Sequence, residues 1–132
     1  MTRVFVFTNH KGGVGKSISA TNTALGIAGM LRRAGAPNSR VLLIDTDSQA
    51  HATLVTTGTK DYGADNSLYT VLMADRQNAA QTMLNCIVQS TWDADLHVLP
   101  HRLGHDQFGI GWNIFEHIHA HTLTGYKSVL FF

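Results

Sequence analysis

The sequence predicts an α/β fold of three layers, with helices on both faces of a mainly parallel sheet. Short apolar runs stand at Val4–Thr8, Val41–Ile44, Leu96–Leu99 and Lys127–Phe132. Each has the length and apolar content of a strand buried on both faces. Helical patterns separate several of them, and this alternation implies parallel strands joined by right-handed crossovers. At 132 residues, 44% of them hydrophobic, the chain is at most one domain with enough apolar content for a core.

The elements follow in order. Val4–Thr8 combines aromatic and β-branched residues and is too short for a helix. From Ser17 the residues Ala20, Ala24, Leu25, Ala28 and Leu31 recur at helical spacing. Gly35-Ala36-Pro37-Asn38-Ser39 ends that helix and turns the chain into the second strand. Thr56–Asn66 is polar and reads as a surface loop, followed by helices over Ser67–Ala74 and Asn78–Cys86. Leu96–Leu99 is a short buried strand, Leu103–Asn113 is glycine-rich, and Ile114–His121 reads as a short helix before the last strand. There is no internal repeat and no low-complexity tract.

Between the first strand and the first helix lies Asn9-His10-Lys11-Gly12-Gly13-Val14-Gly15-Lys16-Ser17. Gly12, Gly13 and Gly15 permit backbone angles closed to other residues, so that successive N–H groups can face phosphate oxygens. The loop abuts a helix N-terminus, whose partial positive charge favours an anion. In this phosphate-loop pattern Lys16 reaches the β- and γ-phosphates, and the Ser17 hydroxyl ligates Mg²⁺. The general pattern asks for a glycine where His10 stands; the remainder fits. A glycine-rich turn that binds nothing is the plainer alternative, but Gly-Lys-Ser opening a helix after a strand is the context the motif requires.

Asp45 and Asp47 follow the second strand. Alone, an Asp-x-Asp pair there caps a helix or turns the chain. Beside a phosphate loop it also offers hard oxygen ligands near a cation.

Lys11-Gly12-Gly13-Val14-Gly15-Lys16-Ser17 resembles the deviant Walker A motif of the ParA/Soj/MinD family of ATPases, with Lys11 at the signature lysine. Arg40 to Leu54, with Asp45-Thr46-Asp47-Ser48-Gln49 and Ala52-Thr53, is similar to the family's second motif. Ser48, Ala50 and His51 stand where the family usually has Pro, Gly and Asn. Weaker similarity continues through Ser67–Leu72 and Leu96–Pro100. The resemblance implies a P-loop NTPase that binds ATP and Mg²⁺. The nucleotide-binding set is then Lys11, Gly12, Gly13, Val14, Gly15, Lys16, Ser17 and Ile18, and Ser17 and Asp45 stand at the metal. Lys11, Lys16 and Asp47 carry catalysis: Asp47 orients the attacking water, and Lys11 reaches the partner's nucleotide across an ATP-bound homodimer, much as an arginine finger acts in trans.

In the family, a strand like the one after Tyr126-Lys127-Ser128-Val129 ends in the Walker B Asp. The sequence is therefore expected to be the amino-terminal half of such a protein, incomplete at its carboxyl end. The expected function is ParA/Soj-like partitioning of plasmids or chromosomes, with a ParB-like partner stimulating hydrolysis and non-specific DNA bound through regions beyond this sequence. A MinD-like positioning ATPase and a nucleotide-binding module without turnover are the alternatives. The related nitrogenase iron protein needs cluster cysteines that the single Cys86 does not supply.

Net charge is +1, so no strongly basic balance announces nucleic-acid binding, although a local patch is compatible with it. Arg32, Arg33 and Arg40 read as a solvated helix terminus. A single cysteine provides no disulfide framework. No run of about 18 apolar residues or signal-peptide pattern is present, so a cytoplasmic location is expected; the resemblance to ParA implies association with the nucleoid. Of the eight histidines, His117 and His121 share a helix face, but two ligands make an incomplete metal site; His101 and His105 are read likewise.

Overall fold

The computed structural model describes residues 2–7, 15–37, 39–63, 65–101 and 126–131. Within them the elements are β1 (Arg3–Val6), α1 (Lys16–Arg33), β2 (Val41–Ile44), α2 (His51–Thr57), α3 (Leu68–Met73), α4 (Ala79–Cys86), β3 (Val88–Gln89), β4 (Leu96–Leu99) and β5 (Ser128–Phe131). The sheet order is β1-β5-β2-β4-β3. Four strands are parallel, and the two-residue β3 runs antiparallel to β4 at one edge. This is the α/β class expected, with helices packed on both faces of a mainly parallel sheet. The expected segments Leu103–Asn113 and Ile114–His121 lie outside the described residues.

Side-chain alternation along β2 divides the core into two layers. Val41 and Leu43 pack with Ala20, Ala24, Ala28, Ala52, Leu96 and Leu130 under α1. Leu42 and Ile44 point the other way, into Leu68, Val71, Met83, Cys86, Leu99, Tyr126 and Val129 against α3 and α4. Because successive strand residues face opposite sides, a strand covered on both faces must be apolar throughout, and all four residues of β2 are buried. Alanines at positions 20, 24 and 28 let α1 lie close on the sheet, one turn after another.

β1 departs from expectation. It was expected over Val4–Thr8 and buried on both faces; it spans Arg3–Val6, with Val4, Phe5 and Val6 exposed, and Thr8 is outside the described residues. The cause is its place in the sheet: it is the edge strand, paired only with β5 among the described strands, while α1 crosses over β2, β5 and β4 instead.

α1 ends in a Schellman motif. Gly35 takes φ +64°, its N–H donates to the Arg32 carbonyl at 3.0 Å, and the Ala36 N–H donates to the Leu31 carbonyl at 3.1 Å. Arg32, in the last turn, and Arg40 beyond it are not simply solvated. Arg32 clamps the β3–β4 turn, donating to Asp93 Oδ1 and Asp95 Oδ2 at 2.9 Å and to Asp93 Oδ2 at 2.6 Å. These contacts raise the Arg32 pKa and lower that of Asp93. Arg40 sits over the Tyr126 ring, 5.4 Å from its centroid. α2 was not expected. Its threonines are poor helix formers, but Thr56 and Thr57 donate hydroxyl hydrogen bonds to the Ala52 and Thr53 carbonyls at 2.6 and 2.7 Å.

At the amino end of β4, His97 Nδ1 lies 2.9 Å from the Tyr126 hydroxyl, the two rings edge to face. Burial, then the charge of Arg40, hold the His97 pKa below its ordinary value of 6.5. The folded chain therefore binds fewer protons here than the unfolded one. This contribution to stability is present above pH 6.5 and lost as pH falls through the folded value. Chemical denaturation between pH 5 and pH 8 is expected to show a shallower rise in stability with pH for His97→Gln than for the wild type; identical slopes would refute the assignment.

Candidate nucleotide-phosphate site

The site follows from strand register. Val6 of β1 aligns with Phe131 of β5, Phe131 with Ile44 of β2, and Ile44 with Leu99 of β4. The segments after these residues therefore leave the sheet along one rim: the glycine-rich loop after β1, Asp45 after β2, and Pro100-His101 after β4. In parallel α/β sheets ligands bind outside this carboxyl rim.

Among the expected site residues, Gly15, Lys16, Ser17, Ile18, Asp45 and Asp47 are described; Lys11, Gly12, Gly13 and Val14 lie outside the described residues. Gly15 is the N-cap of α1 at φ 80° and ψ 20°, a left-handed conformation that glycine adopts without steric penalty. No side chain caps this helix end, and its first turn holds no acid. The backbone N–H groups there, with Lys16 and Ser17 in the first turn, are left to an anion. Ile18 is exposed, its side chain turned from the core.

Asp45 is fully buried. Its Oδ2 accepts the Thr53 N–H at 2.8 Å and the Thr53 hydroxyl at 2.6 Å, and Oδ1 accepts the Asp47 N–H at 3.0 Å. Desolvation still dominates: the Asp45 pKa is raised, because burial outweighs these three donors. Asp47 is half-buried and turns the chain, with Oδ1 accepting the Gln49 N–H at 2.9 Å and its carbonyl accepting the Ala50 N–H at 2.8 Å.

The capping role that an Asp-x-Asp pair can play is thus present in the geometry. The N-cap of α2 is Ala50, which has no side chain to offer, and Asp45 supplies the missing acceptor from the end of β2. Ala50 itself lies at φ 50° and ψ 38°, the one non-glycine at positive φ among the described residues. The similar family's usual glycine at this place has a physical reason here: the turn from Asp47 into α2 passes through the left-handed region.

Two rim residues carry a role that the sequence did not assign them: Thr53, read only as part of the second motif, and His101, read only as an incomplete metal ligand. Thr53 joins Asp45 to His101, whose N–H donates to the Thr53 hydroxyl at 3.2 Å. His101 is buried, and among the described residues neither ring nitrogen has a hydrogen-bond partner; the same is true of the buried Ser67 hydroxyl. The available signal was position: Thr53 lies one helical turn into the segment after Asp45, and His101 two residues past a parallel strand. Among the described residues no cluster of three or more His, Cys, Asp or Glu is placed to hold a metal. The donors that are present, a serine hydroxyl and two carboxylates, are hard oxygens that suit Mg²⁺.

A glycine-capped helix opening on Lys16 and Ser17, and two acids on the carboxyl rim of a parallel sheet, are features of the P-loop class of α/β folds. Residues 2–106 match the sequence model of a family described as an AAA domain, and the chain belongs to this family of ParA/MinD-type P-loop ATPase domains. An uncharacterized protein of Pseudomonas putida KT2440 is 37% identical over 75 residues, which cover 57% of this chain and 26% of that protein. An uncharacterized Pseudomonas putida protein in the gidB 3′ region matches to the same extent.

Protein DIP2308 of Corynebacterium diphtheriae superposes with a TM-score of 0.66 at 23% identity, over 98% of this chain and 53% of its own. Cobyrinic acid a,c-diamide synthase of Mycobacterium smegmatis, solved with bound ADP and magnesium, superposes with a TM-score of 0.51 at 22% identity, over 99% of this chain and 50% of its own. These two likenesses show the fold. The chain spans about a quarter of the length of the curated relatives and about half of the solved chains.

Substitutions at Ala50 test the strained turn. The left-handed conformation costs alanine about 1–2 kcal/mol. Ala50→Gly removes that strain but loses a buried methyl, worth about 0.8 kcal/mol, and adds about 0.5–1 kcal/mol of unfolded-state entropy. It is expected to be neutral within about 1 kcal/mol on this balance. Ala50→Val adds bulk and β-branching at a fully buried site and is expected to destabilise by about 2 kcal/mol or more. Equal unfolding midpoints for the two variants would contradict the strain at Ala50.

Proposed function

We propose that the chain is the phosphate-binding portion of a ParA/Soj-like ATPase, a partitioning switch that dimerises on ATP. One observation carries the reading: the uncapped, acid-free N-terminus of α1, with Lys16 and Ser17 in its first turn, opens onto the rim that holds Asp45 and Asp47. The magnesium and ADP bound to the Mycobacterium smegmatis neighbour support the same chemistry on this fold.

In this reading the amides from Gly12 to Ser17 and the Lys16 ammonium hold the phosphates. Ser17 and Asp45 stand at Mg²⁺, which supplies neutralisation of charge on the phosphate oxygens. Asp45 has three protein donors on it, so it acts on the metal's shell of waters. Asp47 orients the attacking water, and Lys11 reaches the nucleotide of the second protomer. Through parts beyond this sequence the dimer binds DNA non-specifically, a ParB-like partner stimulates hydrolysis, and the protein works in the cytoplasm at the nucleoid. Among the described residues no helix is long and apolar enough to cross a membrane, which favours this over a membrane-spanning role.

The second reading is a nucleotide-binding module without turnover. Phosphate release from ATP by the chain separates the two.

Titration with a fluorescent ATP analogue tests the site. Lys16→Ala removes charge-assisted hydrogen bonds worth about 1.5–3 kcal/mol, so affinity is expected to fall roughly ten- to hundredfold. Lys11→Ala is expected to keep nucleotide affinity within a few-fold while losing ATP-dependent dimerisation in light scattering. Wild-type affinity in Lys16→Ala would sink the phosphate site, and intact dimerisation in Lys11→Ala would sink the role of that lysine.

A further inference from the structure

The Thr53 hydroxyl is fully buried where three elements converge: the end of β2, the first turns of α2 and the segment leaving β4. A hydroxyl has one proton to donate and lone pairs to accept with. The His101 N–H can only donate, so it occupies a lone pair of Thr53 Oγ1 at 3.2 Å. The single hydroxyl proton is thereby directed to Asp45 Oδ2 at 2.6 Å. Thr53 contributes a second donor to the same oxygen through its backbone amide at 2.8 Å. Each carboxylate oxygen accepts about two hydrogen bonds, so Oδ2 is saturated by Thr53 alone. Among the described residues Oδ1 has the Asp47 N–H as its one donor, at 3.0 Å, which leaves it one acceptor position.

We propose that Thr53 is the positioning residue for the metal-side acid: by saturating Oδ2 of Asp45 it fixes the carboxylate plane and presents Oδ1 as the acceptor for a water of the Mg²⁺ shell. His101 completes the arrangement through its backbone, so the end of β4 sets the direction of the Thr53 hydroxyl. The inference rests on the reading of Asp45 as the acid beside Mg²⁺. Outer-shell partners of this kind change metal affinity or activity roughly ten- to hundredfold when removed.

The test is a Mg²⁺ titration of the full chain at fixed fluorescent ATP analogue, alongside nucleotide affinity in EDTA and the melting temperature without nucleotide. Thr53→Val keeps the shape and deletes the hydroxyl. It is expected to raise the Mg²⁺ concentration for half-maximal binding roughly tenfold or more, with Mg²⁺-free affinity within about twofold, because the phosphates are held by other groups. Thr53→Ser, which restores the hydroxyl, is expected to return Mg²⁺ dependence to within about threefold of the wild type whatever its melting temperature, since the donor and not the methyl is required.

A valine variant with wild-type Mg²⁺ dependence overturns the proposal. So does a serine variant shifted as far as the alanine variant Thr53→Ala, and this comparison stands even if valine prevents folding. Equal losses with and without Mg²⁺ assign Thr53 a purely structural role and also overturn it. If the wild type binds nucleotide but shows no Mg²⁺ dependence, the metal-side reading of Asp45 falls and takes this inference with it. If it binds no nucleotide, the proposed function fails as a whole.

Discussion

A carboxylate removed from water must be met by donors, and Asp45 is met by three, all from within eight residues of itself. The desolvation of one such ion costs roughly several kcal/mol, and hydrogen bonds to a charged group return about 1.5–3 kcal/mol each. The sum is close to balance, and the raised pKa shows which side wins: burial. Such a carboxylate is stable only while its donors stay in place, so it dictates local structure. The Asp47 N–H must turn back toward it, the chain must pass through the left-handed region at Ala50, and α2 must begin where the Thr53 N–H can reach Oδ2. Loop, strain and helix start are consequences of one buried acid.

Placing that acid required the sheet. β5, last in sequence, inserts between β1 and β2, so the glycine-rich loop and Asp45 are separated by one intervening strand. Parallel register brings their exits level. The two core layers then hold the rim from beneath: alanines of α1 pack on one face, and the larger side chains of α3 and α4 fill the other. β1, which delivers the phosphate loop, is the least covered of the parallel strands. Among the described strands it pairs with β5 alone, and Val4, Phe5 and Val6 are exposed.

Much of this was legible before the structure, and the failures have physical causes. The strands β2, β4 and β5 were readable because residues buried on both faces must be continuously apolar. α1 was readable from its alanine and leucine spacing, and its end from Gly35, the residue that takes the left-handed step of the Schellman motif. β1 looked equally buried, since composition reports what a strand could bury and not where it stands in the sheet. α2 was missed because its helicity depends on tertiary and side-chain bonds: the Asp45 carboxylate at one end, threonine hydroxyls along it. The acids of the site were visible as a pair; that Thr53 saturates one oxygen of the buried Asp45 while Asp47 stays half-exposed is a property of packing.

The distribution of polar groups divides the molecule along the strand axis. At the amino ends of the strands the charges are neutralised close to solvent: Arg32 holds Asp93 and Asp95, and Arg40 covers Tyr126, which in turn meets His97. At the carboxyl ends lie the destabilising features: a buried acid with a raised pKa, an alanine at positive φ, and two imidazole nitrogens on His101 and a Ser67 hydroxyl without partners among the described residues. Buried polar atoms without partners cost about 1–3 kcal/mol each, and local strain of this kind persists only where the surroundings over-determine it. The amino rim therefore stabilises the fold that the carboxyl rim strains. That asymmetry is expected of a sheet whose carboxyl rim is shaped for a ligand, since groups arranged to meet phosphate and metal cannot also satisfy one another.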